Sequence, residues 1–254
     1  MPTRVADLSR NAPGALELCA SSGLDLLAAV DHGSPPEEGS PGAGLRSRLE
    51  AARGEMQALR RRGTLGLTVA LSEVTVLDVH EGLLAGKAGE IYLVSWILSG
   101  NGRAAEFRSH RFPSVRAGDR LPLGEGGMLL GFLDDPRWFV DLHALIMESD
   151  ADLRTVADTL DRAKRETGWT DMLQTLAALD KFEPARLMDA ANLIGRFADL
   201  AVGLLKQNGS DHVATIHDFY LEQQGFGAGR HPAEGLAKFQ DVEAAYAIEL
   251  SVTT

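Results

Sequence analysis

The chain has one cysteine in 254 residues, Cys19. A single thiol excludes an internal disulfide and makes a reducing compartment, the cytoplasm, the expected location. No Gly-x-Ser-x-Gly, no His-Glu-x-x-His and no paired cysteines occur, so serine-hydrolase, zincin and zinc-ribbon readings lack support. Long apolar runs are missing too. The most apolar stretch, Leu187 to Leu205, is interrupted by Asp189, Arg196 and Asp199, which reads as a buried helix and not as a membrane span. Met1 to Arg10 holds Asp7 and no continuous apolar core, so no secretory signal is expected there. Positive charge is also short: 25 basic against 36 acidic side chains give a formal charge of -11. Residues 1–63 carry eight of each, leaving 17 basic and 28 acidic for 64–254. Such a field repels phosphate backbones. It disfavours nucleic acid and any anionic membrane approached without calcium, and it suits cations and basic partners.

What is present is enough for a sizeable core, since 44% of the residues are hydrophobic. Residues 1–62 read as N-terminal helices and a linker. Leu16, Leu18, Leu24, Leu26 and Leu27 predict a helix over 14–30, Gly33 to Gly42 a breaker-rich linker, and Leu45, Leu49, Ala52, Met56 and Leu59 a helix ending in Arg60-Arg61-Arg62.

From Gly63 the period changes to two. Leu65, Leu67, Val69 and Leu71 alternate and the phase then slips to Val74 and Val76, predicting one long strand with a bulge. Ile91 to Leu98 is a second strand, closed by the hairpin signal Ser99-Gly100-Asn101-Gly102. Further strands are expected at 104–112, 119–123, 127–133 and 138–148. Helical spacing takes over across 153–207, with Leu153, Val156, Leu160 and Ala163, then Met172 to Leu179, then Leu187 to Leu205. Strand character returns at 212–222 and at Tyr246, Ile248, Leu250 and Val252. The fold class is therefore mainly β with helices (α+β): a domain over 63–254 built as an antiparallel sandwich with a helical insertion at 153–207.

Two stretches carry carboxylates where strands meet loops. Val76-Leu77-Asp78-Val79-His80-Glu81-Gly82 leads to Gly89-Glu90-Ile91-Tyr92-Leu93-Val94, and Leu142 to Met147 runs into Glu148-Ser149-Asp150-Ala151-Asp152. In this order the parts resemble the C2-like β-sandwich family over roughly 64–152 plus the closing strands after 211. The resemblance implies a cation site at one end of the sandwich, with calcium as the ion and Asp78, Glu90, Glu148, Asp150 and Asp152 as its ligands. Calcium takes six to eight oxygens, which alternating carboxylates can supply where the backbone turns.

Three further groups are candidates. Asp141 and His143 share the face of their strand opposite Val140, Leu142, Ala144 and Ile146, so the carboxylate could orient the imidazole, but a polar outer sheet face is the favoured reading of the pair. His217 and Asp218, near His212, point to opposite faces and make a poor dyad. Gly225 to Pro232 follows a strand, and Gly227, Gly229 and Arg230 could form an anion-binding loop or a plain connection. The leading expectation is a non-enzymatic binding protein using helical surfaces for a protein partner, with no obligatory cofactor and with self-association left open. The alternatives are a calcium-responsive membrane adaptor and a hydrolase or small-ligand enzyme using Asp141 and His143 or the Gly225–His231 loop.

Overall fold

A computed structural model describes residues 54–79, 88–109, 111–149, 153–180, 184–208 and 210–253. The expectations for the helix at 14–30, the linker at 33–42, Cys19, Asp150 and Asp152 fall outside these residues. Helix α1 covers 54–62. It leads into β1 (Thr64–Val76), β2 (Gly89–Ser99), β3 (Ala104–Arg108), β4 (Phe112–Val115), β5 (Met128–Asp134) and β6 (Phe139–Ser149). Then come α2 (Leu153–Thr167), α3 (Trp169–Ala177) and α4 (Pro184–Gln207), and last β7 (Ser210–Leu221), β8 (Gly229–His231), β9 (Ala237–Phe239) and β10 (Val242–Thr253).

The strands form two antiparallel sheets. The first has the order β5-β1-β10-β8 with β9 also on β10, and the second β3-β2-β6-β7 with β4 also on β2. Leu65, Leu67, Val69, Leu71, Val74 and Val76 of β1 face Ile91, Leu93, Ile97, Val140, Leu142, Ala144 and Ile146 in one core between the sheets. The β1–β10 register shifts between Leu71 and Glu73, where the alternation in the sequence changes phase. A bulge there keeps Val74 and Val76 turned inward.

The second sheet is buried on both faces. Tyr92, Val94, Trp96, Leu98, Phe139, Leu145 and Met147 point away from the first core, and Val156, Leu160, Trp169, Leu176, Ile194, Phe197 and Leu205 of the three helices cover them. The helices thus form a roof inserted between β6 and β7, which are themselves hydrogen-bonded neighbours. Their apolar stripes, spaced for a 3.6-residue period, account for that packing.

Two expected strands take another form. The strand expected over 104–112 ends at Arg108, and a separate strand, β4, starts at Phe112, both on β2, because Ser109 interrupts the ladder: its N–H donates to Leu93 O and its Oγ accepts from Leu93 N, both at 2.9 Å. Residues 119–123 make a single bridge, Thr75 with Arg120. Pro122 lacks the N–H that a ladder needs. Among the described helices, none is long and apolar enough to cross a membrane.

Candidate functional site

Strands β6 and β7 pair with His143 opposite His217, and β2 places Trp96 opposite His143. Side chains directly across a sheet approach closely, so the three rings stack in one row under the roof. Trp96 and His143 lie 5.2 Å apart at 14°, and His143 and His217 lie 3.9 Å apart at 18°. Asp141, two residues before His143 on the same face, completes the cluster: its Oδ1 is 2.9 Å from His143 Nε2 and 3.4 Å from His217 Nε2. The side chains of Asp141 and His143 are only 3% and 4% exposed, and that of His217 17%. The expectation of a polar outer sheet face for Asp141 and His143 gives way here, because the helices close over that face.

The imidazoles stand close enough to the carboxylate to favour its charged form, but off the line of a well-directed hydrogen bond. Asp141 Oδ1, both ring nitrogens of His143 and His217 Nε2 have no hydrogen-bond partner. Burial pushes the Asp141 carboxyl up, but the two imidazoles outweigh it and hold it well below the ordinary carboxylate range. Burial, then repulsion from His217, lowers His143, while for His217 the charge of Asp141 overcomes burial and raises it. Of the two rings, His217 is therefore the more basic. Two imidazoles and a carboxylate converging in this way are also a donor set able to hold a metal ion.

His217 is the member that one-strand reasoning passes over. Weighed against its neighbour Asp218 it makes no pair, and the two do point to opposite sides of β7. The usable signal was between strands. Aligning the apolar alternation of 138–148 antiparallel to that of 212–222 puts His143 across from His217.

A second polar group lies on the other side of β7, at the inter-sheet core. Tyr246 O–H donates to Asp218 Oδ2. The Tyr220 and Tyr246 hydroxyls are 2.5 Å apart, and the Tyr220 hydroxyl is 3.2 Å from His231 Nδ1. His231 Nε2 meets Gly227 O at 2.5 Å. Burial first, and then the charge of Asp218, push the Tyr246 hydroxyl well above its ordinary value. The glycine loop is built around this chain. A Cβ on Gly227 would strike the Tyr220 ring, and Arg230 donates from Nη1 to Pro232 O at 2.7 Å. The loop and the Asp141–His143 pair are thus on opposite sides of the second sheet and do not share a pocket. His212 is separate from both, its Nε2 2.8 Å from Thr215 Oγ1.

Of the acidic rim, Glu90 pairs with Arg111 at 2.6 Å. Glu148 is buried at the end of β6 beside Gly89, and Asp78 follows β1, its N–H reaching Asp241 O at 3.3 Å. Among the described residues, no three donors of this rim come together.

The outward face of the first sheet differs from all of these. Register places Leu129, Ala70, Ala247 and Arg230 in one row across it and Phe132, Thr68 and Glu249 in the next. Leu129 and Phe132 are 50% and 51% exposed, the large exposed hydrophobics among the described residues. Asp134 and Glu249 beside them are exposed as well. The chain matches no family model, and no curated protein matches it.

Proposed function

We propose that this chain is a non-enzymatic binding protein, built on a C2-like sandwich, that takes an amphipathic basic segment of a partner protein on the outward face of its first sheet. The observation that supports this reading is the pair Leu129 and Phe132, half exposed on edge strand β5 next to Gly66 and the small side chains of Thr68, Ala70 and Ala247. Large apolar side chains beside a shallow strip of small ones offer area to a helix laid across them. Asp134 and Glu249 outnumber Arg230 on that face, the Arg230 guanidinium being held by Pro232 O, and within a body carrying 28 acidic and 17 basic residues they select positive charge on the incoming segment. The competing catalytic reading asks Asp141 and His143 to meet substrate, but both are buried under the helical roof.

The test uses fluorescence anisotropy with a labelled amphipathic Leu/Lys helical peptide and its Leu/Glu counterpart. The Leu/Lys peptide should bind, the Leu/Glu peptide should bind at least tenfold more weakly, and Leu129→Asp with Phe132→Asp should weaken the first by tenfold or more. Equal affinity for both peptides, or binding indifferent to the two substitutions, overturns the proposal.

A further inference from the structure

We propose that Asp141, His143 and His217 form a binding site for one divalent transition-metal ion of the zinc type, set in the seam between the second sheet and its helical roof.

Geometry is the first argument. An ion held by bonds of about 2.0–2.2 Å has its donor atoms roughly 2.9–3.5 Å apart, and Asp141 Oδ1 stands 2.9 Å from His143 Nε2 and 3.4 Å from His217 Nε2. All three donor atoms lie within 4.8 Å of one another.

The second argument is the missing hydrogen bonds. Buried polar atoms are almost always paired, because an unpaired one forfeits its hydration. Here four buried atoms of three side chains go unpaired at one spot although two of the separations are short enough for a bond. An ion drawn in among these donors would satisfy one atom on each side chain once one ring has turned toward it.

Donor chemistry then selects the ion. Two imidazole nitrogens and one carboxylate oxygen suit zinc, cobalt, nickel or ferrous iron, whereas calcium and magnesium take oxygen sets. The site is distinct from the acidic rim both in residues and in ion class.

One feature of the cluster sets a requirement. The His143 and His217 rings are stacked at 3.9 Å and 18°, and a ligated imidazole keeps the ion near its own ring plane. One ion cannot lie in two nearly parallel planes a ring-thickness apart. Loading therefore turns one ring, and His217 is the one free to turn. Trp96 covers the outer face of His143 and Phe197 braces Trp96 edge-on at 4.8 Å, while His217 is the more exposed at the β7 side.

The experiment is a cobalt(II) titration of the metal-stripped full chain, followed by its visible d–d absorption, with zinc added in competition. The expected result is a band that saturates at one equivalent, is bleached by zinc, and is lost in Asp141→Asn and in His217→Gln. It should persist in His212→Gln and in the Leu129→Asp/Phe132→Asp protein, which separates this site from the partner face. Zinc should also raise the wild-type melting temperature, a readout that stands if a variant does not fold. No visible band in the wild-type protein, or a band and a zinc-induced shift that survive Asp141→Asn, would overturn the assignment and leave a proton as the group these side chains share.

Discussion

Replacing Phe197 by Ala measures how firmly the helical roof belongs to the sheet beneath it. Phe197 is 1% exposed. Its ring meets Trp96 of β2 edge-on at 4.8 Å and Trp169 of α3 at 4.7 Å. Truncating a Phe in such a site removes its transfer free energy and leaves a cavity that rigid Trp neighbours fill poorly, costing about 3–5 kcal/mol. The two aromatic contacts, each contributing about 0.5–1.5 kcal/mol beyond area, put the expectation in the upper half of that range. Against a total stability of roughly 5–15 kcal/mol, this is a large fraction. The control is Phe132→Ala. A Phe that is 51% exposed keeps only about half of the 1.5–3 kcal/mol that full burial gives and leaves no cavity, so about 1 kcal/mol is expected. Urea unfolding followed by circular dichroism and by Trp fluorescence gives both values. If Phe197→Ala costs under 1 kcal/mol, or no more than Phe132→Ala, the roof does not share a cooperative core with the sheet.

Two other predictions follow from the second polar group and the glycine loop. Burial raises the pKa of Tyr92, and burial with Asp218 raises that of Tyr246 well above the ordinary 10.0; since the unfolded hydroxyls ionise first, stability should begin to fall as pH climbs through about 10 and continue to fall until the folded hydroxyls ionise. An ultraviolet titration should show Tyr92 and Tyr246 ionising late, with unfolding, and ionisation of both near pH 10 in the folded protein would contradict their burial. Gly227→Ala should destabilise by about 2 kcal/mol or more, because left-handed strain (φ +70°) adds to a Cβ driven into Tyr220. Gly225→Ala, equally left-handed (φ +63°) but facing open space, should cost only about 1 kcal/mol of strain, and thermal melts that rank the two the other way would refute the packing argument.

Much of the β framework could be read from the chain because alternation and burial agree there. The phase slip after Leu71 is the observed bulge, Ser99-Gly100-Asn101-Gly102 is the observed β2–β3 turn, and the return of helical spacing after residue 152 is the observed roof. Where reading failed, one residue overrode the pattern. Pro122 reduced 119–123 to a bridge, and Ser109 ended the strand expected over 104–112 at Arg108. Strands β8 and β9, three residues each, are too short to show a period. The Asp141–His143 face was legible, but not its burial, because a strand's alternation says nothing about what lies on it. His217 needed the pairing of two strands separated by the entire helical block.

The antiparallel pairing of β1 with β10 sets a timetable for synthesis. Val76 pairs across to Val242, and chain growth from the first to the second adds 166 residues. At about 5–20 residues per second that interval is roughly 8–33 s. Once β5 has been made, β1, the strand richest in inward-facing Leu and Val, has β5 on one side and an open edge on the other until β10 arrives. An open apolar edge invites pairing with other chains. The nascent protein is therefore most exposed to aggregation before β10 emerges, and truncations that end before Val242 should demand holding by chaperones.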